Sequence, residues 1–442
     1  MRTFRYTLFL CIASLVADHR LNAADRADNW PHWRGPDATG ASSTANPPIK
    51  WDADTNIKWK VALPGRGSAT PIVWDDQVFI ATAIKTDRVA SADELPKINP
   101  NLPVKTDRPK NFFQFVIISY DRATGKERWR KVAAEKVPHE GYHPSHSYAA
   151  ASPTTDGKFL YVSFGSRGIY CYDLGGNLIW QRDLGRLETR FAFGEAATPV
   201  VHGDSLLLNW DHEEDSALIC LNARTGEAKW KVPRDEKSSW NTPLVVEHQG
   251  RTQVVVNGTK RVRSYDLENG SLLWEHGGMT MNAIPSAVTA GGIAYVMSGY
   301  SGSLGIAVPL GLRGDLTAND KVLWRIKQGT PYVPSPLLMG DRLYFTLANN
   351  ASLTILDIKT GKALVDRERL SGLTSFYSSP VGAAGRVYLA DQKGTTLVIR
   401  AGDHLDVLAT NRLNDPIDAC PAVVGRQLFL RGERNLYCIE EK

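Results

Sequence analysis

No apolar run in this chain reaches bilayer length, no block of like charge breaks it up, and cysteine is scarce. The longest apolar stretch, Tyr6 to Ala17, is too short to form a membrane-spanning helix. Lys and Arg number 52 against 47 Asp and Glu, with the signs interspersed. A net charge of +5 spread in this way gives no footing for a nucleic-acid interface. The five cysteines include no adjacent pair and no Cys-x-x-Cys-His, so neither a vicinal disulfide nor a c-type haem attachment is encoded. The sequence also lacks a Walker loop, a nucleophile elbow and a dinucleotide fingerprint. Glycine-rich stretches such as Gly299 to Gly305 follow strands without opening helices.

What the chain has is a repeat. Pro71, Pro153, Pro199, Pro243, Pro285, Pro336, Pro380 and Pro421 each open a short apolar run. Thr or Ser usually stands before the proline (Thr70, Ser152, Thr198, Thr242, Ser335, Ser379), with Ile284 and Cys420 as exceptions. Away from two insertions the period is 41 to 46 residues, the signature of a repeat architecture. Within a unit, four short β-branched and apolar runs are separated by Gly, Asp or Asn turns, which reads as strands joined by hairpins. The turn before the fourth run recurs as Asp121 to Gly125, Asn222 to Gly226, Asp266 to Gly270 and Asp357 to Gly361. Its first residue can bond the backbone two residues on, and its glycine accepts positive φ. Trp59, Trp129, Trp180, Trp230, Trp274 and Trp324 share one place in strand four, expected to pack neighbouring sheets together.

Four antiparallel strands per unit predict an all-β, eight-bladed β-propeller rather than a helical solenoid. The eighth unit supplies only three strands before the chain ends, and Ile57 to Val61 is the missing fourth. The ring is therefore expected to close through an N-terminal strand that completes the last blade and removes an open sheet edge. The expected organisation is a signal peptide at 1–24, an N-terminal arm at 25–56 and one propeller domain at 57–442. Arg2 and Arg5 before the apolar stretch, with Ala23 and Ala24 at its end, carry the signal reading. An exported protein, periplasmic or extracellular and monomeric, follows. Cys171, Cys220 and Cys438 occupy one position in strand three, where Ser119 and Ser264 stand in other units. Equivalent positions in separate blades lie farther apart than the roughly 6 Å that a disulfide spans, so these cysteines read as free and buried.

The arm contains Trp30-Pro31-His32-Trp33-Arg34-Gly35-Pro36, read as a cap on apolar surface with a ligand stack as the alternative. Lys85 to Asn111 and Gly299 to Asp320 are insertions, the first expected to run over one face. The residues just ahead of the prolines should line the axis. Ser68, Glu195, Trp240, Asn241, Asn282, Tyr332, Tyr377 and Asp418 form a candidate binding rim there, and Arg190, Arg261 and Arg263 could meet an anion. His139, His143 and His146 fall within eight residues and are candidate metal ligands, since imidazole suits zinc and copper. Asp211 to Asp215 offers clustered carboxylates, read as a solvated hairpin tip with Ca²⁺ as the alternative.

The Trp-Pro-His-Trp-Arg-Gly-Pro arm, the Asp-x-x-Thr-Gly-x-x-x-Trp turns and the Thr/Ser-Pro strand starts together resemble the pyrroloquinoline-quinone-like repeat propellers. That family includes quinoprotein alcohol dehydrogenases and a non-catalytic outer-membrane assembly lipoprotein. The resemblance runs from about Trp30 to the C-terminus. It implies the propeller and offers two functions: a non-catalytic binding scaffold for a protein or small molecule, or a quinone- and Ca²⁺-dependent oxidoreductase. The dehydrogenases' adjacent cysteines and Glu/Asn/Asp calcium set have no counterpart here, and neither does the lipoprotein's lipidated cysteine. The expectation is therefore the scaffold, with no catalytic residue carried over and the oxidoreductase or a metal-binding propeller as alternatives.

Overall fold

The computed structural model describes residues 26–441 apart from 98 and 319, so the expected signal peptide lies outside the described residues. Eight antiparallel four-stranded sheets follow one another along the chain, two of them carrying an extra short parallel strand. Blade three shows the plan: Val200–His202, Ser205–Trp210, Ala217–Asn222 and Ala228–Pro233, hairpin-joined in order. The eighth blade is completed as expected. Ile57–Ala62 pairs antiparallel with Asn435–Glu440, with Trp59 opposite Cys438. No helix among the described residues is long and apolar enough to cross a membrane.

The residues before the innermost strands tie the blades to one another. The Thr70 amide donates to Ser152 Oγ at 2.9 Å, and the Ser152 amide to Thr198 Oγ1 at 3.2 Å. Farther round, Thr242 donates to Ser286, Ser286 to Ser335 and Ser335 to Ser379, at 2.8, 2.9 and 2.9 Å. The Ser379 amide then donates to Cys420 Sγ at 3.1 Å. Cys420 thus fills a hydroxyl position with a thiol. This ring corrects the alignment of unit five. Its member there is Ser286, and the strand Val288–Ala290 follows Ala287. Pro285 lies two residues ahead of the place that proline holds in the other seven blades, which is why Ile284 broke the pattern.

A second set of ties lies in the blades. Each blade tryptophan stands opposite a small residue in strand three: Trp129 opposite Ser119, Trp180 opposite Cys171, Trp230 opposite Cys220, Trp274 opposite Ser264 and Trp324 opposite Ala307. Its indole N–H reaches a carbonyl in the recurring turn of the next blade. Trp59 bonds Arg122 O, Trp129 Leu174 O, Trp180 Ala223 O, Trp230 Leu267 O and Trp324 Ile358 O, all within 2.8–3.0 Å. The glycine ending that turn has φ near +70°, and a methyl group on Gly226 would stand 2.7 Å from the Trp180 ring. Glycine is thus required both by conformation and by the neighbour's indole. Trp274 is the exception: its Nε1 is buried without a partner. Its neighbouring blade carries the insertion, and Gly314–Asp315 from that insertion adds a parallel strand alongside Trp274 and Glu275. The stretch Gly299 to Asp320 is not one excursion, since it contains the third strand Leu304–Pro309 of blade five. All four cysteines among the described residues are free and buried.

The arm crosses one end of the ring. Trp30 is fully buried and pairs with Val73 of blade one. Pro31 O accepts from Thr155 of blade two, and Arg34 donates to Pro380 O and Pro336 O of blades seven and six, at 2.9 and 2.7 Å. Ala41–Ser42 then adds a parallel strand to blade seven. Between blades eight and one, Arg431 Nη1 donates to Ala69 O and Ala81 O.

A matched pair of substitutions checks the indole ties. Trp180→Phe leaves Ala223 O without its donor, whereas Trp274→Phe removes a donor that is already unpaired. Both lose similar volume, so Trp180→Phe is expected to cost about 1 kcal/mol more, measured by urea unfolding; equal losses would contradict the assignment.

Candidate functional site

The axis holds a cavity of about 370 Å³. Two stacked rings line it. The lower is the hydrogen-bonded ring: Thr70, Ser152, Thr198, Thr242, Ser335, Ser379 and Cys420. The upper comes from the residue two positions earlier in each blade: Ser68, Ala150, Ala196, Trp240, Ile284, Val333, Tyr377 and Asp418. Extended backbone sends alternate side chains to opposite sides, so every second residue reaches the axis. One arc of the upper ring is small and the opposite arc is bulky. Tyr300 and Tyr332, 4.7 Å apart between ring centres, extend the bulky arc, and Phe193, His143 and His146 stand above the small one. Trp33 of the arm also lines the cavity, with the Arg34 guanidinium 5.5 Å from its ring.

This alternation sorts the expected rim. Trp240, Tyr332, Tyr377, Asp418 and Ser68 line the cavity. Asn241, the odd position, turns into its blade and donates to Ser239 Oγ and Asn257 O. Asn282 is buried beside the Tyr332 hydroxyl, off the lining. Glu195 faces a smaller side cavity instead. Arg261 is displaced most: it pairs with Glu275 and Asp315 at the start of a third strand, 3.1 and 3.0 Å away. Arg263 pairs with Glu236, Asp235 and Glu275 rather than with the acids of 211–215. Arg190 lies over the Phe191 ring at 5.1 Å.

The loop 211–215 is not a solvated tip throughout. Asp211 is buried against Arg234, with Nε–Oδ1 at 2.7 Å, and His212 is buried beside it. The first insertion begins later than expected, because Gln77–Val89 is one strand, and the rest runs over a face: Val104 bridges to Phe191, and the Thr106 hydroxyl donates to Ala192 O.

The three histidines do not converge. His143 and His146 belong to the axial cavity, with His143 exposed and bonded to Ser145. His139 is buried in the side cavity with Glu140, Glu195 and Arg167. Among the described residues, its ligand atoms group with Glu140 and Glu188, not with the other histidines. Both ring nitrogens are engaged: Nε2 donates to Leu187 O at 3.1 Å, so Nδ1 accepts from Arg167 Nη2 at 2.6 Å. Burial, then the charges of Arg167, Arg186 and Arg108, push His139 down to about 3. Sequence spacing could not show this cluster, because Glu140, Glu188 and Glu195 meet only through folding.

The axial lining does not fit a Ca²⁺-held quinone. Ca²⁺ takes six to eight oxygens with several carboxylates or amides. Here one carboxylate, Asp418, faces the axis, while Glu195, Asn241 and Asn282 face elsewhere.

The side cavity makes stability depend on pH. Burial and the neighbouring Glu195 raise Glu140 from 4.5 to about 8; burial raises Glu195 to about 7. Between pH 4.5 and about 8 the folded state therefore binds more protons than the unfolded chain, and stability falls as pH rises through that range. His139 acts oppositely, but only between about 3 and 6.5. Above pH 6.5 the carboxyls act alone. Glu140→Gln is expected to flatten the fall in Tm between pH 6.5 and 8.5 relative to the native chain; parallel profiles would contradict the buried-carboxyl account.

A family model described as outer membrane protein assembly factor BamB matches residues 114–307 and 259–442. A curated protein of that name from Yersinia pestis is 24% identical over 293 residues, covering 65% of this chain and 59% of the relative. The chain thus spans less than two thirds of that relative's length. The crystal structure of BamB from Moraxella catarrhalis superposes with a TM-score of 0.54 at 11% identity, covering 81% of this chain and 98% of that one. A computationally designed protein gives 0.51 at 12% identity over 77% and 98%. These structural likenesses show the fold, and the family match extends over most of the chain. The ring of eight blades, the indole-locked turns and that match agree: the chain belongs to the outer membrane protein assembly factor BamB family of PQQ-like propellers.

Proposed function

We propose that this protein is an exported, non-catalytic binding propeller that holds a protein or small-molecule partner at the loop-bearing face around its axial cavity. The observation that carries this reading is the cavity's construction: an aromatic and hydroxyl-lined chamber that opens among the inter-blade loops and has Trp33 of the arm in its wall. Pockets of this size, mostly apolar with a few placed polar groups, are where ligands bind. Family membership supports the same reading, because the name of the relatives denotes an assembly factor for outer membrane proteins. A chain that acts beside them would be periplasmic, in keeping with the leader read at 1–24.

The oxidoreductase alternative is separated by one assay. Mature protein is mixed with pyrroloquinoline quinone and Ca²⁺, and dye reduction is followed with a set of primary alcohols. The expected result is no saturable quinone binding and no alcohol-dependent reduction. Tight binding with alcohol-dependent reduction would overturn the scaffold reading.

A further inference from the structure

The chemistry of the axial cavity narrows what it can hold. Ser152, Thr198, Ser335 and Ser379 each accept a backbone N–H from the preceding blade. None of their hydroxyls donates to another described residue, so each O–H is left to turn toward the axis. A ring of hydroxyl donors therefore surrounds the lower half of the chamber. In the upper ring, Asp418 Oδ1 is held by Gln392 Nε2 at 2.8 Å, while Oδ2 accepts nothing from the described residues. That oxygen supplies a fixed acceptor on the wall. Trp33 Nε1 is a further donor with no partner.

Around these polar points stand ring faces: Trp240, Tyr377, and the Tyr300–Tyr332 pair. Charge of both signs stands near the chamber, where the Arg190 guanidinium also acts on the Tyr332 hydroxyl. Arg34 lies under the Trp33 ring with carbonyl partners, and Asp418 is the one acid in the wall among the described residues. Arg66, at the rim, is 3.9 Å from Glu433. A ligand of either net charge would meet its own sign close by. A neutral ring bearing many hydroxyls suits every element: its C–H face stacks on an aromatic wall, and its hydroxyls both accept from Ser and Thr and donate to Asp418.

We infer that the axial cavity binds a neutral saccharide unit, stacked against the Trp240–Tyr377 arc and hydrogen-bonded by the hydroxyl ring and Asp418. This rests on the binding-propeller reading of the same cavity and names its ligand class.

The test titrates mature protein with glucose, N-acetylglucosamine, cellobiose and chitobiose, following tryptophan fluorescence and heat. Cyclohexanol serves as an apolar ring control and benzoate as an anionic one. At least one saccharide is expected to bind saturably and more tightly than either control. Asp418→Asn, which keeps the shape, and Trp240→Ala should each weaken it about tenfold or more, with Tm confirming that both variants fold. Controls that bind as tightly as every saccharide, or an affinity unmoved by Asp418→Asn, would overturn the ligand class and leave the cavity as a binding site. No binding by any saccharide overturns it as well, while the scaffold reading still stands or falls on the quinone assay.

Discussion

The constraint on which the ring depends is the passing of a backbone N–H from one blade to a hydroxyl of the next at the axis. Five such bonds and a sixth to the Cys420 thiol link Thr70 to Thr198 and Thr242 to Cys420. An innermost strand begins where its neighbours crowd most closely, and buried amides there need partners. A small side chain with an acceptor atom fits that space, which is why Ser, Thr and one Cys fill it. The same bonds occupy a lone pair on each hydroxyl oxygen and leave its O–H for the inner wall of the cavity. Structure and site are in this sense one device. The arm and Arg431 supply what the ring lacks, by bracing blades six and seven against blades one and two and by closing blade eight onto blade one.

Farther out, the indole lock repeats the logic with different atoms. A tryptophan crosses to the next blade, bonds a turn carbonyl and packs on the turn's glycine. These two residues recur at fixed spacing, so the sequence displayed them plainly. The blade number, the closing strand and the place of the free cysteines were legible for the same reason: each rests on local patterns copied many times. Where the copy is imperfect, reading by motif slipped. Pro285 looked like a strand opener because it is a proline, yet the hydrogen-bonded residue is Ser286.

The candidate site was legible in part. Being close to a proline placed Trp240, Tyr377 and Asp418 at the axial cavity, because they stand two residues before a member of the hydrogen-bonded ring. Proximity alone also gathered Asn241 and Glu195, which the alternation of extended backbone turns away. Arg261 failed for another reason: its partners Glu275 and Asp315 come from the next strand and from an insertion. The Glu140–Glu188–Glu195 group around His139 left no trace in the sequence, since its members are brought together from two inter-blade loops. Trp33, weighed as a cap or a ligand stack, stands in the cavity wall.

The central claim is that the axial amide-to-hydroxyl ring holds the blades together and shapes the cavity. Native-state hydrogen exchange on the amides of Thr70, Ser152, Thr242, Ser286, Ser335 and Ser379 tests it most directly. The account predicts that all six open only with global unfolding, at the free energy of the whole domain. Exchange as fast as in the surface loops between outer strands would contradict it.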